Sequence, residues 1–339
     1  MSSVRCVLVT GAAGGVGRSV CTALLAEGFD VRALIRPEDD RSVMRLRDES
    51  IILGQVQDAV SVGRAIDGAD AVVHCAAILP NAAGVSAAQY LEVNCGGTET
   101  VLQAALRRQI KVAIFFSTIS VVDHNGSKID RARICEYVTD VTDPYLRSKI
   151  AAEQCVLAAR DVFPGHLAVI RPGFVYGPGA IGVWRKPLRL AMRGQMMLIG
   201  GGEVVLPLAY ADDIAAYVVA LLRGERYGPP YDIHVVANPE ATTIADVFSF
   251  IAEYLGVPRP HSVPRWPLAI GATFCNLLPR PLRIGPLAML TPARFRQYSR
   301  GYDLTGVFDH PLLSQIRMTS YRVGLSRMLD EYVAHQGRS

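Results

Sequence analysis

An α/β fold built on a doubly wound parallel sheet, with a smaller C-terminal lobe, is predicted by three features of the sequence. Short β-branched runs alternate with helix-spaced apolar segments as far as Ile170. A glycine-spaced turn joins the first run to the first helix, and after Arg171 the rhythm breaks into Pro- and Gly-rich stretches. At 339 residues the chain exceeds one typical domain, which leaves room for the extra lobe.

Val4 to Thr10, Val31 to Ile35, Ile51 to Leu53, Ala71 to His74 and Val112 to Ser117 are short and almost wholly apolar, as strands covered on both faces are. Between them Val16 to Glu27, Val60 to Ile66 and Ala87 to Arg108 carry apolar residues at helical spacing, and Gly28 and Gly68 stand where two of these helices end. A helix from Tyr145 to Arg160 and a strand from Leu167 to Ile170 follow. Pro172, Gly173, Gly177, Pro178 and Gly179 then mark a loop, and the segments from Gly256 to Pro292 show no regular repeat. Asp212 to Leu222 and Tyr231 to Val236 read as a helix and strand returning to the sheet, and Tyr321 to Ala334 as a final helix. The expected division is therefore residues 1–171 with 212–238 for the sheet domain, and 172–211 with 239–339 for the lobe.

Half the residues are hydrophobic and 19% are charged, which excludes global disorder. The net charge of +4 comes with scattered Arg residues, so no nucleic-acid partner is expected. Cys6, Cys21, Cys75, Cys95, Cys135, Cys155 and Cys275 contain no C-x-x-C pair and fall mostly in apolar segments. That pattern fits reduced thiols in the cytoplasm and calls for no metal. The early strand leaves no room for a secretion leader, and Trp266 to Leu278 is too short to span a bilayer, although a peripheral membrane contact there stays open.

The turn Thr10-Gly11-Ala12-Ala13-Gly14-Gly15-Val16-Gly17 follows the first strand and opens the first helix. Gly11 permits the tight turn, Gly14 lets backbone approach a pyrophosphate, and Gly17 lets helix and strand pack closely. The helix N-terminus then receives the anion, which makes this a Rossmann dinucleotide site. At the end of the second strand stand Ile35 and Arg36, with no carboxylate immediately beside them, so a 2′-phosphate is favoured and NADP is expected, with NAD possible. The alternative is a solvated Arg36 with Asp39 or Asp40 reaching the ribose.

Tyr145 and Lys149 are four residues apart at the start of a helix and share a face. An ammonium beside a phenol favours the phenolate and makes the group a usable acid and base. With four lysines and 13 tyrosines, roughly 0.15 such pairs arise by chance, so the spacing is informative.

On these residues the chain resembles the extended short-chain dehydrogenase/reductase family, over nearly its whole length. Further matches are His74-Cys75-Ala76-Ala77, Asn94-Cys95-Gly96-Gly97-Thr98, Ser117-Thr118-Ile119-Ser120-Val121-Val122 and Arg171-Pro172-Gly173-Phe174-Val175-Tyr176-Gly177-Pro178-Gly179. The resemblance implies Tyr145 as general acid/base, Lys149 as its electrostatic partner and ribose anchor, and Thr118 as the hydroxyl holding the substrate oxygen. It places Thr10, Gly11, Ala13, Gly14, Gly15, Val16, Gly17, Gln55, Val56, Cys75, Ala76 and Ala77 at the dinucleotide. Asn94, Ser117, Tyr145, Lys149, Pro172 and Val175 join them, Asn94 mainly as support for the site backbone. Two positions depart from the pattern. Gly15 stands where an aromatic or aliphatic residue is common, and Gln55-Val56 where an acidic residue commonly takes the adenine amino group.

The family includes dehydrogenases, reductases, nucleotide-sugar epimerases and dehydratases, and fold alone does not choose among them. Ile119 and Ser120 stand where dehydratases carry Asp-Glu, which disfavours loss of water. The tail from Pro264, with Val307-Phe308-Asp309 before the final helix, resembles the branch of 3β-hydroxysteroid dehydrogenases and dihydroflavonol reductases. Against that, Arg185, Lys186, Arg189 and Arg193 suit either a nucleotide-sugar diphosphate or a solvated helix face. The expectation is an NAD(P)-dependent oxidoreductase on a small substrate. The alternatives are an epimerase using the same triad and a non-catalytic NADP-sensing regulator, which would usually have lost Tyr145 or Lys149. Family habit further implies a homodimer through the helices Ala87 to Arg108 and Tyr145 to Arg160, where Ala104, Ala105, Ala151 and Ala152 are small enough for close approach to a partner and equally for packing on the sheet.

Overall fold

The apolar runs of the first half become a seven-stranded sheet that is parallel throughout and covered by helices on both faces. The computed structural model describes residues 4–44, 46–80, 82–122, 128–130, 135–139, 141–224, 231–264, 266, 303–306 and 311–336. The chain begins with β1 (Cys6–Thr10), α1 (Gly15–Ala26), β2 (Asp30–Ile35), β3 (Ile51–Leu53), α2 (Ala59–Ile66) and β4 (Ala71–His74). There follow α3 (Ala87–Tyr90), a π-helical turn Leu91–Gly96, α4 (Gly97–Arg107), β5 (Val112–Phe116), β6 (Lys128–Asp130), α5 (Pro144–Ala158) and β7 (His166–Pro172). Next come β8 (Phe174–Tyr176), α6 (Arg185–Met192), β9 (Met197–Ile199), β10 (Leu208–Tyr210), α7 (Ala211–Leu222) and β11 (Tyr231–Val236). After α8 (Ile244–Leu255) and β12 (His261–Val263), the chain ends on a helix Tyr321–Gln336.

Strands order as β3-β2-β1-β4-β5-β7-β11. The direction of progress reverses between β1 and β4, so a crevice opens at their carboxyl ends, where Thr10 pairs with His74. One face of the sheet packs Val7, Val9, Val20, Leu24, Ile214 and Val218, and the other packs Leu8, Val62, Ile66, Val101 and Val156. Each of these side chains is fully or almost fully buried, and each contributes roughly 1.5–3 kcal/mol.

One expectation is corrected here, and one choice left open by the sequence is decided. The single helix expected over Ala87 to Arg108 is interrupted by the π turn Leu91–Gly96. The Thr98 hydroxyl donates to the Asn94 carbonyl at 2.7 Å, and paired Gly96 and Gly97 weaken α-helical preference, so one extra residue is accommodated. Ala104, Ala105 and Ala152 do not offer themselves to a partner, because they are buried inside the protein's own core while Ala151 is half-buried.

Later elements were less visible in the sequence. β8, in the stretch expected to be a loop, pairs with β10, and β9 pairs with β12 from the stretch without a regular repeat, both in parallel. Around them Tyr176, Trp184, Leu188, Tyr210, Phe248 and Leu325 form a third apolar cluster. Asp213 in α7 accepts from the Thr319 amide at 2.8 Å and from its hydroxyl at 2.7 Å, tying the tail to the sheet layer. Trp266 is exposed, and the rest of the Trp266 to Leu278 stretch and Val307-Phe308-Asp309 lie outside the described residues. Among the described residues no helix is long and apolar enough to cross a membrane.

Candidate active site

The turn after β1 is shaped by backbone contact. A Cβ on Gly17 would sit 2.2 Å from the Gly11 carbonyl oxygen, and one on Gly11, whose φ is +64°, would sit 2.6 Å from the Ala76 Cα. Gly14 occupies the N-cap of α1 and offers no side-chain cap, so the first-turn amides face outward over the crevice. That cradle, with its helix dipole and absent side chains, fits a dinucleotide pyrophosphate. The unusual Gly15 has a local cause. Its Cβ would meet the Ala180 Cα at 2.6 Å, because the Gly177–Ala180 turn closes against the start of α1. Arg18 lies 3.5 Å from Glu331 of the C-terminal helix, which also accepts from the Gly179 amide.

Across the crevice, Asp143 caps α5 by accepting from the Tyr145 amide at 2.9 Å, and Pro144 presets the first helical turn. Tyr145 thus enters the site from the first turn of α5. Burial pushes its phenol above the ordinary value, Asp143 and Tyr90 add to the rise, and the Thr118 hydroxyl pulls it back. The Tyr90 ring meets the Tyr145 ring edge-on at 6.2 Å. Lys149, one turn along, is buried and donates from Nζ to the Phe116 carbonyl at 2.5 Å. Burial lowers its pKa to about 8, against the opposite pull of Glu153 and Cys75.

Asn94, presented by the π turn, is fully occupied with scaffolding. Its Oδ1 accepts from the Ile78 amide at 2.7 Å, and its Nδ2 donates to the Ile78 carbonyl at 3.1 Å and to Ser148 Oγ at 2.9 Å. A second chain of bonds ties the glycine turn to this wall. The Thr98 hydroxyl is spent on the Asn94 carbonyl, so it accepts from His74 Nε2 at 3.1 Å, which leaves His74 Nδ1 to accept from Thr10 Oγ1 at 2.8 Å. Burial lowers the His74 pKa to about 3, so the ring is neutral.

The remaining expected residues fall around this centre. Cys75 donates its amide to the Thr10 carbonyl at 3.1 Å, and Ala76 and Ala77 continue the floor beneath Gly11. Ser117 donates its amide to the Ile170 carbonyl at 2.7 Å, and Pro172 ends β7. Val175 accepts at its carbonyl from Trp184 Nε1 at 2.7 Å. Val56 is buried against Gly97, whereas Gln55 is exposed with its Oε1 already accepting from Gln57 at 2.9 Å. Arg36 binds two carboxylates, Asp39 at 2.7 Å and Glu38 at 3.3 Å. Asp40 is spent on Ser42. Arg185, Lys186, Arg189 and Arg193 are exposed on and just beyond α6, while Leu188 and Ala191 face the core.

Sequence reasoning missed Glu153, Arg171 as a side chain, Tyr137 and Tyr90, all of which stand behind or beside Tyr145 and Lys149. Glu153 had a signal, since it lies four residues after Lys149 on the same helix face. The others come from distant segments and had none.

The model of the NAD dependent epimerase/dehydratase family matches residues 7–237. A 3 beta-hydroxysteroid dehydrogenase/Delta 5-->4-isomerase of Mycobacterium tuberculosis is 31% identical over 215 residues, which are 61% of this chain and 57% of that protein's length. A 2-alkyl-3-oxoalkanoate reductase of Stenotrophomonas maltophilia is 28% identical, over 75% of this chain and 76% of its own. The structure of Thermus thermophilus UDP-glucose 4-epimerase complexed with NAD superimposes with a TM-score of 0.70 at 22% identity, covering 97% of this chain and 99% of that one.

Proposed function

Because the chain belongs to the NAD dependent epimerase/dehydratase family, we propose that it is an NAD(P)-dependent oxidoreductase acting on a carbonyl or alcohol carbon of a small apolar substrate. The observation that carries this reading is the convergence of Tyr145, Thr118 and buried Lys149 opposite the glycine turn, at the carboxyl ends of the strands. Gly11, Gly14, Gly15, Val16 and Gly17 would hold the pyrophosphate, and Lys149 the nicotinamide ribose. Hydride exchange is the chemistry supplied by the bound dinucleotide. Tyr145 gives or takes the proton at its phenol oxygen, Thr118 holds the substrate oxygen, and the Lys149 ammonium steadies the phenolate when it forms.

Apolar substrates are favoured by the rim. Leu79 is 52% exposed directly after Ile78, its carbonyl accepts from the Tyr90 hydroxyl, and its side chain lies near Gly182, beside the 38% exposed Val183. The third apolar cluster supports residues 172–211 and 239–339 as the substrate lobe. NADP is the proposed cofactor because Arg36 directly follows β2, with Asp39 and Glu38 limiting the preference. A cytoplasmic homodimer completes the proposal, its interface using the exposed faces of α4 and α5 rather than the buried alanines. The test is NADPH- and NADH-linked turnover against apolar ketones, the matching alcohols and UDP-sugars. Reduction of apolar ketones that is lost in Tyr145→Phe is expected. Turnover of UDP-sugars alone would replace the reading with the epimerase, and no turnover on any class would reject it.

A further inference from the structure

Glu153 sits one turn beyond Lys149 on α5, and its side chain and that of Arg171 are 1% and 0% exposed. Arg171 Nε donates to Glu153 Oε2 at 3.1 Å, a terminal guanidinium nitrogen donates to Oε1, and the Tyr137 hydroxyl donates to Oε1 at 3.0 Å. The guanidinium also lies 5.7 Å from the Tyr137 ring centroid. Such a pair is a weak device for stability, since desolvating two ions offsets their attraction and apolar residues of equal volume hold a core as well.

Beside Lys149 and Glu153 lies a cavity of about 10 Å³, lined by these two, Ser117, Thr98, Phe116 and their apolar neighbours. That is about the room one water occupies. Ser117 Oγ is buried there with no hydrogen-bond partner, Lys149 Nζ uses one of its three protons on the Phe116 carbonyl, and Glu153 Oε2 accepts a single bond. Three polar side chains with unused hydrogen-bonding capacity thus line one small, half-open space.

We propose that this cavity is a one-water site through which the Glu153–Arg171 pair acts as a positioning device for Lys149, keeping its ammonium charged and aimed at the Phe116 carbonyl. The inference rests on Lys149 serving Tyr145 as stated under Proposed function. The groups around Lys149 leave Glu153 as the anion that matters. On its own helix stand Tyr145, held protonated by burial, and Glu153, with Asp143 at the cap beside Tyr145. From the end of β4 come His74, neutral, and Cys75, whose thiol burial pushes well up. Thr98 of α4 and Ser117 after β5 carry no charge, and Arg171 of β7 and Tyr137 stand behind Glu153. Removing the Glu153 charge takes away the larger of the two charges that hold the Lys149 proton, leaving Cys75 and the Phe116 carbonyl against burial, which favours the amine.

With only four lysines in the chain, Lys111, Lys128, Lys149 and Lys186, the protein is suited to NMR titration with ¹³Cε-labelled lysine, the Lys149 signal being assigned by Lys149→Arg. The apoprotein should titrate at Lys149 near 8. Glu153→Gln should lower that midpoint by about one unit, a tenfold loss of proton affinity. Should Glu153→Gln fail to fold because Arg171 loses its carboxylate, Glu153→Gln/Arg171→Met keeps the volume without a buried guanidinium and should shift Lys149 in the same direction by less. Crystals of the apoprotein should show water density within reach of Ser117 Oγ, Lys149 Nζ and Glu153. An unmoved Lys149 midpoint in a folded variant, or a dry cavity, overturns the inference. No substrate enters these measurements, so a shifted midpoint in a protein that turns over no carbonyl, alcohol or UDP-sugar would sink the proposed function and leave the Lys149 device standing.

Discussion

The turn between β1 and α1 and the wall formed by β5 and α5 face each other across one crevice and reach their chemistry by opposite means. In the turn, function lies in missing side chains: Gly11 and Gly17 admit backbone contacts that any Cβ would break, and Gly14 leaves the first amides of α1 uncapped. In the wall, function lies in side chains whose charge is set by burial, Tyr145 raised and Lys149 lowered. The turn should therefore be insensitive to pH and intolerant of bulk. The wall should tolerate isosteric change in shape and respond sharply to change in charge or proton content.

The largest expected effect breaks the wall alone. Tyr145→Phe removes one hydroxyl and little volume, so turnover should fall ~10²- to 10⁴-fold while dinucleotide affinity stays unchanged. Stopped-flow turnover with separate fluorescence titration of NADPH separates the two, and a parallel loss of affinity would mean that Tyr145 builds the binding site. The converse breaks the turn. Gly17→Ala places a methyl 2.2 Å from the Gly11 carbonyl oxygen and 2.8 Å from the Ala12 Cα, so the turn must shift. Overpacking of about 1–3 kcal/mol should weaken dinucleotide binding roughly 5- to 150-fold, with turnover at saturating cofactor largely kept. Native affinity in Gly17→Ala would show that the close approach is not needed.

Turn and wall are joined at His74, whose ring bonds Thr10 on one side and Thr98 on the other. Its pKa falls from 6.5 to about 3 on burial. Below pH 6.5 the unfolded chain takes up a proton there that the folded chain refuses, so the contribution of His74 to stability is complete above 6.5 and is lost as pH falls toward 3. The slope in that window is about 1.4 kcal/mol per pH unit. Denaturant unfolding at pH 7, 6 and 5 should show the native protein losing stability faster than His74→Gln, and parallel losses would remove this role.

The same contrast explains what could be read in the sequence. Gly11, Gly14 and Gly17, and the Tyr145 and Lys149 pair, are local patterns whose spacing carries their meaning, and the strands from Cys6 to Phe116 are contiguous apolar runs. Helical periodicity does not register the one extra residue of the Leu91–Gly96 turn, so the exact presentation of Asn94 was hidden. Arg171 stood at the edge of an expected loop, yet it is fully buried on Glu153, a partner 18 residues away that only the sheet brings near. Strands as short as Phe174–Tyr176 and Leu208–Tyr210 carry too few residues to show alternation. For α8 the signal was present and unused: Thr243 and Asp246 form a capping box just before the apolar run.

The smallest expected effect lies at the rim of the turn, where the proposed function has the dinucleotide's outer ribose read by a charged side chain rather than by backbone. Arg36 is 60% exposed and already held by Asp39, whose carboxylate also takes the Arg36 amide at 2.9 Å. A 2′-phosphate would gain charge-assisted hydrogen bonds worth ~1.5–3 kcal/mol, but must compete with an exposed ion pair worth about 0.2–1 kcal/mol. The difference, about 1–2 kcal/mol, predicts NADPH bound roughly 5- to 30-fold more tightly than NADH. Asp39→Asn removes the competitor and should widen the ratio, whereas Arg36→Asp should narrow or reverse it. Calorimetric titration of both cofactors into the three proteins decides the matter. A native ratio near one that Arg36→Asp leaves unchanged would mean that Arg36 is only a solvated partner of Asp39, and that even this edge of the turn is selected by backbone.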